Sequence, residues 1–441
     1  MARTLAVLSF DFQGYSTTYR ETLPGPESVP VFASYESYYR LLVRATDPDP
    51  ARRFGSAEEM ADQLTGVLRE VLALEDGRAR PAQSTLFGPE LRVVDTELVA
   101  TTVRPGELRL TAVDPAAAAL ALPVPRVDPA DPNAGFLATL LAADPAEALT
   151  ALDGAPTDSV ERRLRALRAL LELGRPHQSA EALAALEKDH PDDWRVVWYR
   201  GLASLVTAAE AEAGAGTAAG GGTEGEPARE RALRAAAEAF DAVYDAFPGE
   251  AAPKLALAVC AELLGDGGDA AEFYRLVWST DQSYLSAAFG LARVRLADDD
   301  RAGAVAALET VPATSSQYTA ARIAAVRARL RERPTTDPLG ADLGASSEQL
   351  TALRLDDRRR EELAVEVLGA ALGWVTAGSP GGTGTGPATG EVSVLGRPAV
   401  ERELRFALEQ SYRVLARLAD RAETRIEMVE RANRARPRTW V

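Results

Sequence analysis

The sequence predicts a mainly α-helical protein in which helix pairs repeat along the chain as a solenoid. Three observations carry that expectation. Alanine, the strongest helix former, recurs throughout, while aromatic residues make up only 6% of the chain. Turn residues and small residues return at a step of 34 positions within 135–330. Between the turns, apolar residues come back every three or four positions, as one buried helix face requires.

Charge and composition narrow the partners. The net charge of −16 repels phosphate backbones and anionic lipid, so neither nucleic acid nor a lipid surface is an expected partner. No apolar run reaches the roughly 20 residues of a membrane span. The stretch from Met1 to Phe10 is apolar, but no small-residue cleavage site follows, so it reads as a helix and not a signal peptide. The single cysteine, Cys260, makes neither an internal disulfide nor a multi-thiolate metal site. It reads as a small core residue of a cytoplasmic protein.

Residues 1–75 end in two helices. Tyr35 to Arg44 is helical in pattern and is closed by Asp47-Pro48-Asp49-Pro50. Ser56 and Glu59 then form a capping box ahead of Met60, Leu64, Val67, Leu68, Val71 and Leu72. Residues 76–134 read as a connector with a few short strands, at 84–87, 91–94 and 107–113. Asp-Pro steps at Asp114, Asp128 and Asp131 favour turns there.

The periodic part is 135–330. Gly174, Gly265 and Asp299 mark turns between helices, and the last two lie 34 residues apart. Removing a 23-residue low-complexity run, 208–230, restores the same step from Gly174. Ala180, Ala237 and Ala271 keep it, as do Pro191 and Pro248. Small residues where helices cross, with proline at the exit, make this the tetratricopeptide pattern. Four pairs are expected, at 160–190, 194–247, 252–279 and 284–310, with 208–230 as a flexible loop insertion. Residues 331–441 supply further helices that cap the solenoid, around a disordered loop at 377–390. The last helix is expected over 401–432, with Leu404, Leu408, Tyr412, Leu415 and Leu418 on one stripe.

No catalytic set assembles from the motifs. His177 and His190 are the only histidines and have no second ligand at metal spacing. No nucleophile elbow, zinc-protease helix or phosphate-cradling Gly-x-x-x-x-Gly-Lys-Ser/Thr occurs. The acidic pairs Asp192-Asp193 and Asp298–Asp300 sit at repeat turns and read as solvated.

Leu41 to Phe54, followed by the capped helix, resembles the last segment of a protein-kinase catalytic domain. Asp49-Pro50-Ala51-Arg52-Arg53 matches the Asp-Pro-x-x-Arg step ahead of the final C-lobe helices, with Arg53 in the structural arginine position. Arg3 to Leu8 looks like the second half of the long central C-lobe helix. Asp11-Phe12-Gln13-Gly14 is not the metal-binding Asp-Phe-Gly, having an extra residue in the wrong place. Residues 1–75 are therefore expected to be a partial kinase C-lobe. With 57–71, Trp198-Tyr199-Arg200 and Phe247 to Ala258, the whole chain resembles actinobacterial serine/threonine protein kinase G. The resemblance implies soluble kinases using ATP and Mg²⁺, with a rubredoxin-like metal domain. It also implies roles in carbon and nitrogen metabolism through forkhead-associated partners. This sequence lacks the rubredoxin-like cysteines and the catalytic centre, so no catalytic, cofactor-binding or metal residue carries over.

The resulting expectation is a catalytically inactive interaction domain holding a protein or peptide in its groove. That partner would be a forkhead-associated regulator or a kinase domain. Arg200 and Arg293, on first helices of their pairs, are the candidate contacts for an acidic peptide. The alternative is a fragment, or a mis-set start, of a full-length active kinase that phosphorylates protein serine and threonine. In that case the apolar faces of 3–72 are expected to stand exposed.

Overall fold

The structure, a computed structural model, describes residues 1–98, 109–217, 225–334, 337–378 and 392–437. Three short helices, α1 (Ala2–Ser9), α2 (Pro30–Ser34) and α3 (Glu36–Ala45), precede the long α4 (Ala57–Asp76). Ser56 caps α4 by accepting the Glu59 N–H at 3.0 Å. The Glu59 carboxylate reaches back to accept the Gly55 N–H at 2.7 Å, so the expected box closes one residue further upstream. At its other end α4 stops at Gly77, whose φ of +68° is the left-handed backbone glycine adopts freely.

Two Asp-Pro steps start helices. Asp114 accepts from the Ala116 N–H and Asp144 from Ala146, both at 2.9 Å, capping α5 (Pro115–Ala121) and α7 (Pro145–Leu152). Proline at the first helical position costs no hydrogen bond. The short α6 (Ala134–Ala138) lies between them. The segments expected as strands in 76–134 form no sheet among the described residues. Phe87 pairs with Pro125 in one isolated antiparallel bridge, because the rest of that segment runs along helix ends. Residues 99–108 lie outside the described residues. The one sheet among the described residues is β1 (Ser393–Val394) with β2 (Arg397–Pro398).

The helix pairs follow in order: α8 (Val160–Glu172) with α9 (Pro176–Asp189), and α10 (Trp194–Thr217) with α11 (Gly225–Ala246). Next come α12 (Ala251–Leu264) with α13 (Gly267–Thr280), then α14 (Leu285–Ala297) with α15 (Arg301–Glu309). First helices therefore start 34, 57 and 34 residues apart. The three turn residues all have left-handed backbone, Gly174 at +61°, Gly265 at +86° and Asp299 at +58°. Close helix crossings need glycine: a Cβ on Gly201 would stand 2.5 Å from the Phe240 ring, and one on Gly290 2.3 Å from the Tyr274 ring.

The insertion differs from expectation. Within 208–230, α10 runs on to Thr217 and α11 already begins at Gly225, while 218–224 lie outside the described residues. Alanine and glutamate favour helix, so a run that reads as low complexity lengthens both helices. The chain continues as α16 (Tyr318–Leu330), α17 (Gly340–Ala352), α18 (Asp357–Thr376), α19 (Glu401–Leu418) and α20 (Ala422–Ala435). The single final helix expected over 401–432 is thus two, interrupted after Leu418. Of the loop expected at 377–390, residues 379–390 lie outside the described residues.

The chain divides into two compact units, Met1–Val94 with Val113–Gly290, and Asp95–Ala112 with Leu291–Val441. In the first, Phe12, Phe32, Leu41, Leu42 and Val67 form a cluster of their own under α1–α4. Val7, Leu8 and Leu68 are exposed. In the second, Leu343, Val367, Trp374 and Leu404 centre the core. Among the described residues no helix is long and apolar enough to cross a membrane.

Candidate functional site

The first unit joins its N-terminal helices to its repeats through buried polar groups. Glu70 of α4 and Lys254 of α12 form an ion pair with both side chains 4% exposed. Ser37 of α3 donates to the same Glu70 carboxylate at 3.0 Å. Its one proton being used, Ser37 accepts from the Tyr244 hydroxyl of α11 at 2.7 Å. Burial, with Glu70 close by, pushes the Tyr244 phenol well above its ordinary value. Arg40 lies over the Tyr244 ring at 4.2 Å and pairs with Asp241 at 2.8 Å and Asp245 at 2.5 Å. One turn of helix further along α3, Arg44 bonds the Ala246 carbonyl and covers Phe54 at 4.2 Å.

Backbones touch beside this cluster. A Cβ on Gly66 of α4 would come within 2.3 Å of the Gly249 carbonyl oxygen, and one on Gly249 within 2.4 Å of the Gln63 oxygen. Gly249 donates its N–H to the Gln63 side chain at 2.8 Å. Glu70 and Lys254 line a cavity of about 20 Å³ with Arg69, Ser84 and Glu250, room for roughly one water. Burial raises Glu250, although Ser84 and Gln63 hydrogen-bond to it.

The connector covers the first helices of the repeats. Arg80 donates its N–H to the Thr280 carbonyl at 2.8 Å. Phe87, 1% exposed, sets its ring edge against Trp194 at 5.2 Å and Trp198 at 4.8 Å, both on α10. Glu90 accepts the Ser286 N–H at the start of α14, its two oxygens at 3.2 and 3.3 Å, and Val94 donates to the Ser286 hydroxyl at 2.8 Å. Further on, α5 packs against α10, and Arg168 of α8 donates to the Leu120 carbonyl at 2.7 Å. The guanidinium thereby meets the negative end of α5.

Burial raises the Glu90 carboxyl from 4.5 to about 7, against the hydrogen bonds from Ser286. A carboxyl raised on folding holds more protons folded than unfolded between those values. Its contribution to stability is therefore full below about pH 4.5 and is lost as pH rises towards 7. The thermal midpoint of the chain is expected to fall from pH 5 to pH 8, and Glu90→Gln to flatten that slope. An unchanged slope in Glu90→Gln would assign it to another group.

The three residues singled out in the sequence fall into different settings. Arg53 is exposed and donates to the Asp47 carbonyl at 2.6 Å and the Pro48 carbonyl at 3.2 Å, closing its own turn. Arg200 is accessible, with 43% of its side chain exposed, and pairs with Glu187 of α9 at 2.5 Å. Arg293 departs from its reading as a peptide contact. It is 2% exposed and sits 3.7 Å from the Asp95 carboxylate. A guanidinium so enclosed holds its own unit together and is not offered to a ligand. Cys260 is buried, and burial pushes its thiol up. Among the described residues no group of His, Cys, Asp or Glu gathers to hold a metal ion.

Comparison with known proteins adds to this geometry. Residues 81–218 and 227–439 match the family described as Protein kinase G tetratricopeptide repeat. The serine/threonine-protein kinase PknG of Mycobacterium leprae is 36% identical over 454 residues, covering 99% of this chain and 54% of that protein. The protein of the same name from Mycolicibacterium smegmatis is 34% identical over 451 residues, covering 99% and 55%. The chain spans about half the length of these curated relatives.

Proposed function

Because this chain belongs to the Protein kinase G tetratricopeptide repeat family, we propose that it is the protein-interaction part that regulates a serine/threonine protein kinase. The observation that carries this reading is the buried set Ser37–Glu70–Lys254–Tyr244, which ties α3 and α4 to the repeats. In this reading, 1–75 are the terminal helices of a kinase C-lobe and 76–134 a connector. Residues 135–330 are the repeat domain, and 331–441 the helices that cap it. A shift in the repeats would then reach the catalytic lobe through packed helices, with no flexible tether between.

Phosphoryl transfer with ATP and Mg²⁺ belongs to the whole kinase, and none is expected from these 441 residues alone. The partner is a protein, a forkhead-associated regulator or a kinase domain, met in the cytoplasm, with Arg200 as its accessible basic contact. The test joins a serine/threonine kinase catalytic domain ahead of this chain and measures phosphate transfer to a protein substrate. Lys254→Met is expected to lower the rate about fivefold or more, the lower edge of ordinary coupling energies. Equal rates in the variant and the parent would remove the proposed coupling.

A further inference from the structure

The N-terminal end of α10 presents an aromatic platform that the chain fills with its own connector. We infer that the Trp194–Trp198 platform and the Ser286 N–H form a docking site for an extended peptide segment of a partner protein. Its ligand carries an aromatic residue and, three positions on, an acidic one. Phe87-Gly88-Pro89-Glu90 occupies the site in cis and shows that chemistry. This deepens the reading proposed above and rests on it for the repeat domain being an interaction module.

Three features of the occupant resemble a bound peptide. Its ring is an anchor, edge-on to two indoles and almost wholly buried. Its backbone adds to a neighbouring segment as an edge strand does: Gly88 donates to the Val124 carbonyl and Arg126 to the Leu86 carbonyl, both at 2.8 Å. Its acid is fixed by a backbone N–H at the start of a helix, whose dipole offsets part of the cost of burying a carboxylate.

A fourth feature says that the occupant is an imperfect one. The Trp198 indole N–H is fully buried beside Phe87 and has no hydrogen-bond partner among the described residues. Buried indoles ordinarily find an acceptor. A ligand that places a carbonyl or carboxylate there gains roughly tenfold in affinity over one that does not. Such a gain is what a free segment needs, because the tethered one is present at an effective concentration on the order of millimolar.

The test uses the full chain and a labelled synthetic peptide of residues 83–94, with a second peptide carrying Phe87→Ala as control. Wild-type protein is expected to bind the first peptide weakly. Phe87→Ala protein should bind it at least about tenfold more tightly, since the competing tethered ring is gone. Its red-shifted tryptophan emission should return towards wild type as peptide is added. Glu90→Gln protein keeps the ring in place and should bind the peptide with an intermediate gain. If Phe87→Ala loses helical circular dichroism, Glu90→Gln decides the question. Failure of both proteins to bind the peptide above the control would make Phe87 an ordinary core residue and overturn the inference. So would a concentration-dependent doubling of mass in wild type that Phe87→Ala abolishes, which would make the occupant a second copy. Neither outcome bears on coupling to a kinase, which is read by phosphate transfer.

Discussion

Replacing Lys254 by methionine is expected to cost about 3–5 kcal/mol of stability, the usual penalty for stranding one charge of a buried pair. Glu70 would keep the Ser37 hydroxyl at 3.0 Å but lose its Lys254 partner. Glu70→Leu alone should cost a similar amount, because the Lys254 ammonium is as deeply buried as its partner. Making both changes together removes two desolvated charges at once. The double variant Glu70→Leu with Lys254→Met should then recover most of the loss, since apolar replacements of whole buried pairs are often neutral. Chemical denaturation of the four proteins gives the coupling energy directly. Hydrogen exchange on the single variants should lose protection first in α3 and α4, ahead of α12, because the pair and its neighbours help to hold those helices to the repeats. Single variants that each cost under about 1 kcal/mol would place the pair in contact with water.

The parts of this architecture that were legible in the sequence are those set by near neighbours. Glycine or aspartate at a tight turn announces itself, and Gly174, Gly265 and Asp299 all have the backbone that their spacing implied. The Ser56 cap is equally local. The Lys254–Glu70 pair joins residues 184 apart, and no pattern in a single sequence links a lysine in one helix to a glutamate so distant. Arg293 was misplaced for a different reason. Helix α14 buries Ala287, Ala288, Phe289, Leu291, Ala292 and Val294, which wrap around its axis, so no polar face marks which way an arginine points. The connector misled through its composition. Asp-Pro steps and short apolar runs read as turns and strands, yet the same Asp-Pro chemistry caps α5. Where Phe87 would land depended on two tryptophans more than a hundred residues on. Trp198 stood out only within Trp198-Tyr199-Arg200, as a mark of the family resemblance, and nothing in the sequence joined it to Phe87.

The contact between Gly66 and Gly249 gives the second large effect, and here two terms of opposite sign compete. Alanine at a helix interior position is favoured over glycine by about 1 kcal/mol. Gly369 of α18, exposed and with nothing near its missing Cβ, shows that term alone, and Gly369→Ala should stabilise by about 0.5–1 kcal/mol. At Gly66 the new methyl would instead lie 2.3 Å from a carbonyl oxygen and 2.7 Å from a Cα of the facing turn. Both are backbone atoms, so no flexible side chain is there to swing aside. Relief requires α4 to move away from 247–250, which breaks the Gln63–Gly249 hydrogen bond and pulls Glu70, about one turn on, from Lys254. Gly66→Ala is therefore expected to destabilise by about 2–4 kcal/mol despite its better helix propensity, combining overpacking with a weakened buried pair. The mechanism has its own signature in the double variant. Once Gly66→Ala has lifted α4, water reaches Glu70, and Lys254→Met has less left to remove. The two costs should sum to clearly more than the double variant shows, by about 1 kcal/mol or more in the same denaturation series. Strict additivity would mean that α4 stays docked on Lys254 and that the strain is absorbed within the 247–250 turn.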